Sequence, residues 1–90
     1  MALNTNVLAA EIASPTTTGT ATSFTEASVV RLVNTDSSAH VVSVVETQSG
    51  TGIGSFTMPA TSVEVLEKGY THCVFASNAA IKGAKVGLTN

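Results

Sequence analysis

Charged residues are scarce in this 90-residue chain: they make up 11% of it, against about 25% in a typical soluble domain. The formal net charge is −2, and only four residues are Lys or Arg. A protein that binds nucleic acid or an anionic membrane through charge needs a basic patch, which this composition does not supply. We therefore predict neither a direct nucleic-acid partner nor a membrane partner.

Cysteine, aromatic residues and long apolar runs are also rare or missing. The single Cys73 excludes an intrachain disulfide. There is no Trp, and Tyr70 and Phe75 are too few to form a platform that stacks sugars or bases. No apolar run approaches the ~20 residues that span a bilayer. The start, MALNTNVLAAEIASP, has neither the basic nor the apolar region of an export signal, so we expect no export by a standard leader.

The residues that are present favour β-structure. From Phe24 onward, short runs rich in Val, Phe and Thr alternate with turn-forming residues, which is typical of a sandwich or small barrel. Strands are predicted near residues 22–33, 40–47, 53–58, 62–67, 71–76 and 84–89, and residues 77–85 allow one helical turn. We predict one all-β domain at residues 23–90, a small antiparallel β-sandwich of Ig-like or jelly-roll-like type.

The first 22 residues differ in composition from this domain. Residues 14–23, SPTTTGTATS, are rich in Ser and Thr and broken by Pro15 and Gly19, a pattern of loops and linkers. Residues 1–12 include NVLAAEI, which is too short for periodicity to separate strand from helix. We favour an extended N-terminal arm at residues 1–22 that gains order by lying along a neighbouring subunit.

The stretch VVRLVNTDSSAHVVSVV, residues 29–45, has apolar residues on both faces of two predicted strands. Its polar centre favours a tight turn, so we predict a β-hairpin. We assign one face, with Val30, Leu32, Val42 and Val44, to the core, but a register shift of one residue would exchange this face with the opposite one. The opposite face is the candidate subunit interface, and it consists of Val29, Arg31, Val33, Val41 and Val45. A chain this short has a limited core of its own, so we expect a neighbour to cover that face.

The sequence contains no set of residues that assembles a reaction centre. Asp36, Ser38 and His40 have the residue types of a hydrolase triad, but they lie too close together on one turn. His72 and Cys73 are metal-ligand types, yet adjacent strand residues point to opposite faces, so a metal site would need histidines from several copies around an axis. The GTGIG segment lacks the following helix of a phosphate loop. We predict a non-enzyme with no catalytic, cofactor-binding or metal-binding residues.

Three segments, read in order, resemble small structural proteins of tailed-bacteriophage virions, particularly those of marine phages. They are VVRLVNTDSSAHVVSVVE, GSFTMPATSVEVLEKGYTHCVFAS and IKGAKVGLTN, within residues 24–90. In such proteins an RLVN-type strand leads through a polar turn to a Val-rich strand, and a proline bend, a strand ending in EK and a short last strand follow.

The resemblance implies a β-sandwich that decorates the capsid or lines the head-to-tail region. Its partners would be copies of itself and other virion proteins, such as capsid, portal or tail subunits. Its location would be the virion, after synthesis in the host cytoplasm. The alternative class is a β-sandwich module of a bacterial surface or one that binds carbohydrate.

Overall fold

The computed structural model describes residues 4–89, and their regular structure is almost entirely β-strand. The elements are β1 (Asn4–Val7), β2 (Ile12–Ala13), a 3-10 turn (Thr18–Thr20), β3 (Val29–Asn34), β4 (His40–Val45), β5 (Gly52–Met58), β6 (Val63–Glu67), β7 (Cys73–Ala76) and β8 (Ile81–Thr89). No α-helix occurs within the described residues. The predicted all-β class is therefore confirmed.

The strands form two antiparallel sheets that pack together as a small β-sandwich, as predicted. The large sheet has the order β1-β8-β3-β6, with β2 also paired to β8. The small sheet has the order β5-β4-β7. The buried side chains of β3 in one sheet and β4 in the other belong to a single apolar core.

The strand order is that of a jelly roll. β1 pairs with β8, β3 with β6, and β4 with β5. Thr22 forms an isolated bridge to Val74 in β7, in the place of a second strand. The four pairs are therefore nested inside one another along the chain, like the rungs of one long hairpin, with β4–β5 innermost and β1–β8 outermost. Going inward, the pairs alternate between the large sheet and the small sheet, which is the jelly-roll arrangement. Of the two sandwich types predicted, the described strands follow this one.

The core lies between the sheets and contains the four predicted residues of β3 and β4. Val30, Leu32 and Val42 are fully buried, and Val44 is nearly so. The other buried members of this cluster are Phe24, Ala27, Met58, Val74, Ala76 and Ile81. Because successive strand residues point to opposite faces, the burial of Val30 and Leu32 places Val29, Arg31 and Val33 on the outer face.

The predicted hairpin at residues 29–45 is wrong, because β3 and β4 lie in different sheets. The polar segment between them carries the chain across one end of the sandwich. The buried Asn34 holds it there: its amide nitrogen donates to the carbonyls of Ser38 (2.9 Å), Met58 (3.1 Å) and Pro59 (3.2 Å). Its side-chain oxygen accepts the Asp36 N–H at 3.0 Å. One side chain therefore joins two connections between the sheets.

The predicted strand at residues 22–33 starts only at Val29, because a left-handed turn precedes it. Phe24, Thr25 and Glu26 have φ angles of 52°, 61° and 55°. This conformation costs a residue other than glycine roughly 1–2 kcal/mol. Two hydrogen bonds close the turn, from the Ala27 N–H to the Ser23 carbonyl (3.0 Å) and from the Glu26 N–H to the Ser23 hydroxyl (3.0 Å).

Two lysines bind the carbonyls of this turn. The Lys68 ammonium donates to the carbonyls of Ser23 (3.1 Å) and Ala27 (2.6 Å), and Lys85 donates to Thr25 (3.1 Å). Burial lowers the pKa of Lys68 below its usual 10.5. The three contacts offset part of the cost of the left-handed backbone, since hydrogen bonds to charged groups are stronger than neutral ones.

The helical turn allowed at residues 77–85 does not form. The Asn78 side chain instead accepts the Ala80 N–H at 2.8 Å, which makes a tight turn. The last strand consequently begins at Ile81, three residues before the predicted start.

The residues of the predicted arm that the structure describes pair with their own sheet, and the expectation that the arm also lies along a neighbouring subunit stays a prediction. Asn4–Val7 and Ile12–Ala13 both pair with β8. Residues 14–22, which we call the strap, then cross to the small sheet. Ser14 donates to the Ile81 carbonyl (2.8 Å), and the Pro15 carbonyl accepts from Ala76 (2.9 Å). The domain boundary at residue 23 stays a prediction, and residues 1–3 lie outside the described part.

Candidate functional site

The predicted interface residues on β3 lie on the outer face of the large sheet, together with residues of β6. Arg31 stands opposite Val65, and Val33 opposite Val63. Val29 and Val33 are half-buried, whereas Val63 and Val65 are 48% and 47% exposed. We name these four valines, with Arg31 among them, the outer valine face.

Arg31 pairs within its own chain. Its guanidinium lies 3.7 Å from a carboxylate oxygen of Glu11, and both side chains are 41% exposed. An exposed ion pair of this kind contributes at most about 1 kcal/mol. The arm can therefore leave Arg31 at small cost, and the positive charge is available to another partner.

The predicted interface residues on β4 have different surroundings. Val41 is 40% exposed, but Val45 is only 4% exposed and packs with Ala21 and Cys73. The strap places Ala21 there, and the Gln48 amide donates to the Ala21 carbonyl at 3.3 Å. The prediction that a neighbouring subunit covers Val45 is therefore wrong, because the strap of the same chain covers it.

The sequence analysis missed Val63 and Val65, although it placed their strand. The signal was present in VEVLE, where valines two residues apart share a face. Their exposure follows from topology, because β6 is the last strand of its sheet and pairs only with β3 among the described residues. No rule of periodicity indicates which strand becomes an edge.

A groove of about 440 Å³ opens between the two sheets along β5 and β6. Its apolar wall includes Val44, Phe56 and Leu66, and its polar end includes Lys68 and His72. The Lys68 ammonium is held by backbone carbonyls, and Nδ1 of His72 accepts the Gly69 N–H at 3.3 Å. Both groups thus have structural partners inside the chain.

Asp36 and His40 form a short contact in the connection between β3 and β4. Nε2 of His40 lies 2.7 Å from Oδ2 of Asp36, and the Ser37 N–H donates to Oδ1 at 2.7 Å. The hydrogen bond from His40, followed by that from Ser37, lowers the pKa of Asp36 below its usual 3.8. The pair closes a turn, which is the role that turn chemistry predicts for these residues.

We expect Asp36→Asn to reduce the loss of stability in acid. A carboxyl whose pKa is lowered on folding contributes stability above its unfolded pKa of 3.8, and that stability is lost as the pH falls through the lower folded pKa. Urea unfolding at about pH 5 and about pH 2 should show a smaller difference for the variant than for the native chain. An equal difference would contradict the role given to this pair.

His72 and Cys73 lie on different sides of β7, as strand alternation predicts. Cys73 is buried with Val45 under the strap, whereas His72 lines the groove between the sheets. Among the described residues, no group of three or more His, Cys, Asp or Glu could hold a metal ion. The segment GTGIG forms the β4–β5 turn and the first part of β5, not a loop before a helix.

The comparisons with known proteins give no relative. No protein-family model matches the chain, no curated protein matches it, and no solved structure matches it. In the part of the chain that the structure describes, no helix is long and apolar enough to cross a membrane.

Proposed function

We propose that this protein is a non-enzymatic structural subunit of a phage virion. It packs against copies of itself and against other virion proteins, and it decorates or stabilises the capsid or the head-to-tail region. The observation that carries the proposal is the outer valine face, where two half-exposed valines on β6 adjoin two half-buried ones on β3. Burying these valines against a neighbour would be favourable, because apolar burial gives about 25 cal/mol per Å².

The chemistry of the chain agrees with an assembly role. Within the outer valine face Arg31 is the one charged residue, and it pairs with the exposed Glu11. Two exposed residues of opposite charge border the face, Lys82 opposite Val33 and Glu67 opposite Val29. Jelly rolls occur in viral capsid domains and also in lectins, so the fold supports this class without selecting it. The sequence resemblance favours the virion, which the chain would reach after synthesis in the host cytoplasm.

The alternative, a carbohydrate-binding or bacterial surface module, has less support from the aromatic residues. Phe75 is half-buried against the cluster of Ala21, Val45 and Cys73, so part of its ring surface serves packing. Tyr70 lies in the β6–β7 connection and is 61% exposed. A sugar platform needs open aromatic faces, and a single exposed tyrosine is a poor one.

We expect the native chain to self-associate in sedimentation velocity as its concentration rises, and Val63→Asp to weaken this association by about tenfold or more. A buried carboxylate in an apolar contact loses its hydration. Val63 is nearly half exposed in the single chain, so the fold should survive, as urea unfolding would show.

The matched control is Thr57→Asp, which adds the same charge at an exposed position on β5 of the other sheet. It should associate like the native chain. A native chain that stays monomeric at every concentration, or equal effects of the two substitutions, would contradict the proposed interface.

A further inference from the structure

The two ends of the large sheet, β1 and β6, are complementary in direction. Neighbouring strands in the order β1-β8-β3-β6 are antiparallel, so β1 and β6 run in opposite directions. A second copy set beside β6 in the same orientation would offer its own β1 in antiparallel alignment. The two strands also match in length, with four and five residues.

Within residues 4–89, both edge strands present outward backbone groups that pair with no other strand. On β1, the Leu8 N–H donates to the Lys85 carbonyl, so alternation directs the peptide groups of Thr5 and Val7 away from β8. At the two ends of β6, the Ser62 carbonyl accepts from the Asn34 N–H and the Lys68 N–H donates to the Ser28 carbonyl. Alternation therefore directs the peptide groups of Val63 and Val65 outward. Exposed edges of this kind are templates for pairing with another chain.

The apolar side chains at the two edges lie on the same face of the sheet. Arg31 stands opposite Val65 on one side and Ala84 on the other, so these residues share the outer face. Val86 is two residues beyond Ala84, and Val7 stands opposite Val86. Val7 is 70% exposed, and in a continued sheet it would lie beside the valines of β6.

The outer valine face alone is too small for a stable contact. Two strands about 4.8 Å apart, each with five residues rising about 3.4 Å, present roughly 10 by 17 Å. A standard interface buries about 800 Å² on each partner. Backbone pairing along an edge would extend the contact and add directional hydrogen bonds.

Charge favours β1 over β6 as the strand that pairs with β6. β6 carries Glu64 on one face and Glu67 on the other, so pairing two β6 strands would place two carboxylates on each face of the joined sheet. β1, with the sequence NTNV, carries no charge. A second copy's β1 therefore meets β6 without this repulsion.

We propose that copies of this chain associate head to tail, with β1 of one copy adding to β6 of the next to continue the large sheet. This inference rests on the proposed assembly function and specifies its geometry. The contact joins two different surfaces, so it propagates from copy to copy and forms either a ring or an open array.

Cysteine crosslinking tests the pairing directly. In a Cys73→Ala background, a Val7→Cys chain mixed with a Val65→Cys chain should form disulfide-linked dimers under mild oxidation, because paired strands bring the Cα atoms within disulfide range. If the two strands pair two residues away from this register, Val63→Cys should crosslink to Val7→Cys in place of Val65→Cys. A chain carrying Val7→Cys and Val65→Cys together should give a ladder of higher oligomers, and the matched mixture of Val7→Cys with Thr57→Cys should give none.

A proline substitution gives a second measurement. The Val65 N–H faces outward, so Val65→Pro removes no bond to β3 but blocks an added strand, and it should weaken association about tenfold. Thr57→Pro makes the equivalent change at the free edge of β5 and should have no such effect. Circular dichroism would show whether each variant is folded, and the crosslinking result decides alone if Val65→Pro is not.

The outcomes separate this inference from the proposed function. If the native chain associates and Val63→Asp weakens it, but Val7→Cys and Val65→Cys do not crosslink, only the head-to-tail geometry fails. Self-crosslinking of Val65→Cys alone would also overturn it, in favour of a two-fold contact between β6 strands. A native chain that never associates would overturn both.

Discussion

Replacing Asn34 with leucine should lower the free energy of unfolding by about 3 kcal/mol, because the buried Met58 carbonyl and three partly buried backbone groups lose their partner at once. The Asn34 side chain is fully buried and serves three carbonyls and one N–H in two connections between the sheets. Each unsatisfied buried group costs about 1–3 kcal/mol. A 90-residue domain has only about 5–13 kcal/mol of stability in total, so the variant should be marginal.

Urea unfolding followed by circular dichroism measures this loss as a shift in midpoint. The matched control is Thr35→Val, which removes an exposed side-chain hydrogen bond from the neighbouring residue to the Ala80 carbonyl (2.6 Å). It should cost at most about 1 kcal/mol, since water replaces the lost partner. Equal costs for the two variants would show that Asn34 does not hold the connections together.

Asn34 also shows why the sequence predicted the positions of the strands better than it predicted which strands pair. NTDSSA has the composition of a tight turn, and the alternation of Val30 and Leu32 with their neighbours places them correctly in the core. The same six residues can close a hairpin or cross a sandwich. The choice depends on Met58 and Pro59, whose carbonyls bind Asn34 from 24 and 25 residues away. Local pattern does not encode a contact at that separation.

In the candidate site too, the sequence predicted the features that depend on local pattern and missed those that depend on distant segments. Alternation identified Val29, Arg31 and Val33 as an outer face, and the structure places them there. It assigned Val45 to the same open surface because nothing in its own strand shows that the strap will cover it. The left-handed turn at residues 24–26 was also unpredicted, since none of its residues is glycine and its conformation depends on Lys68 and Lys85.

Phe24 is the first residue of that turn, and Phe24→Ala should lower the free energy of unfolding by about 3–5 kcal/mol, as expected for a buried phenylalanine. The left-handed backbone directs the Phe24 ring into the core, where it reaches the main chain of β8 at Gly83. A Cβ on Gly83 would lie 2.7 Å from Cε1 of Phe24 and 2.9 Å from Cδ2 of Leu32. Gly83→Ala should therefore cost about 1–3 kcal/mol through overpacking.

The two substitutions should not be additive. In the Phe24→Ala background the ring is gone, so Gly83→Ala should be close to neutral, and only the flexible end of Leu32 has to move. A double-mutant cycle in urea should give a favourable coupling of about 1–3 kcal/mol. The matched control, Gly87→Ala in the same strand, places a Cβ at an ordinary 3.4 Å from Leu8 and should change stability by at most about 0.5 kcal/mol. If Gly83→Ala costs the same with and without Phe24, the ring does not lie over Gly83, and the left-handed turn has no core contact to compensate its backbone.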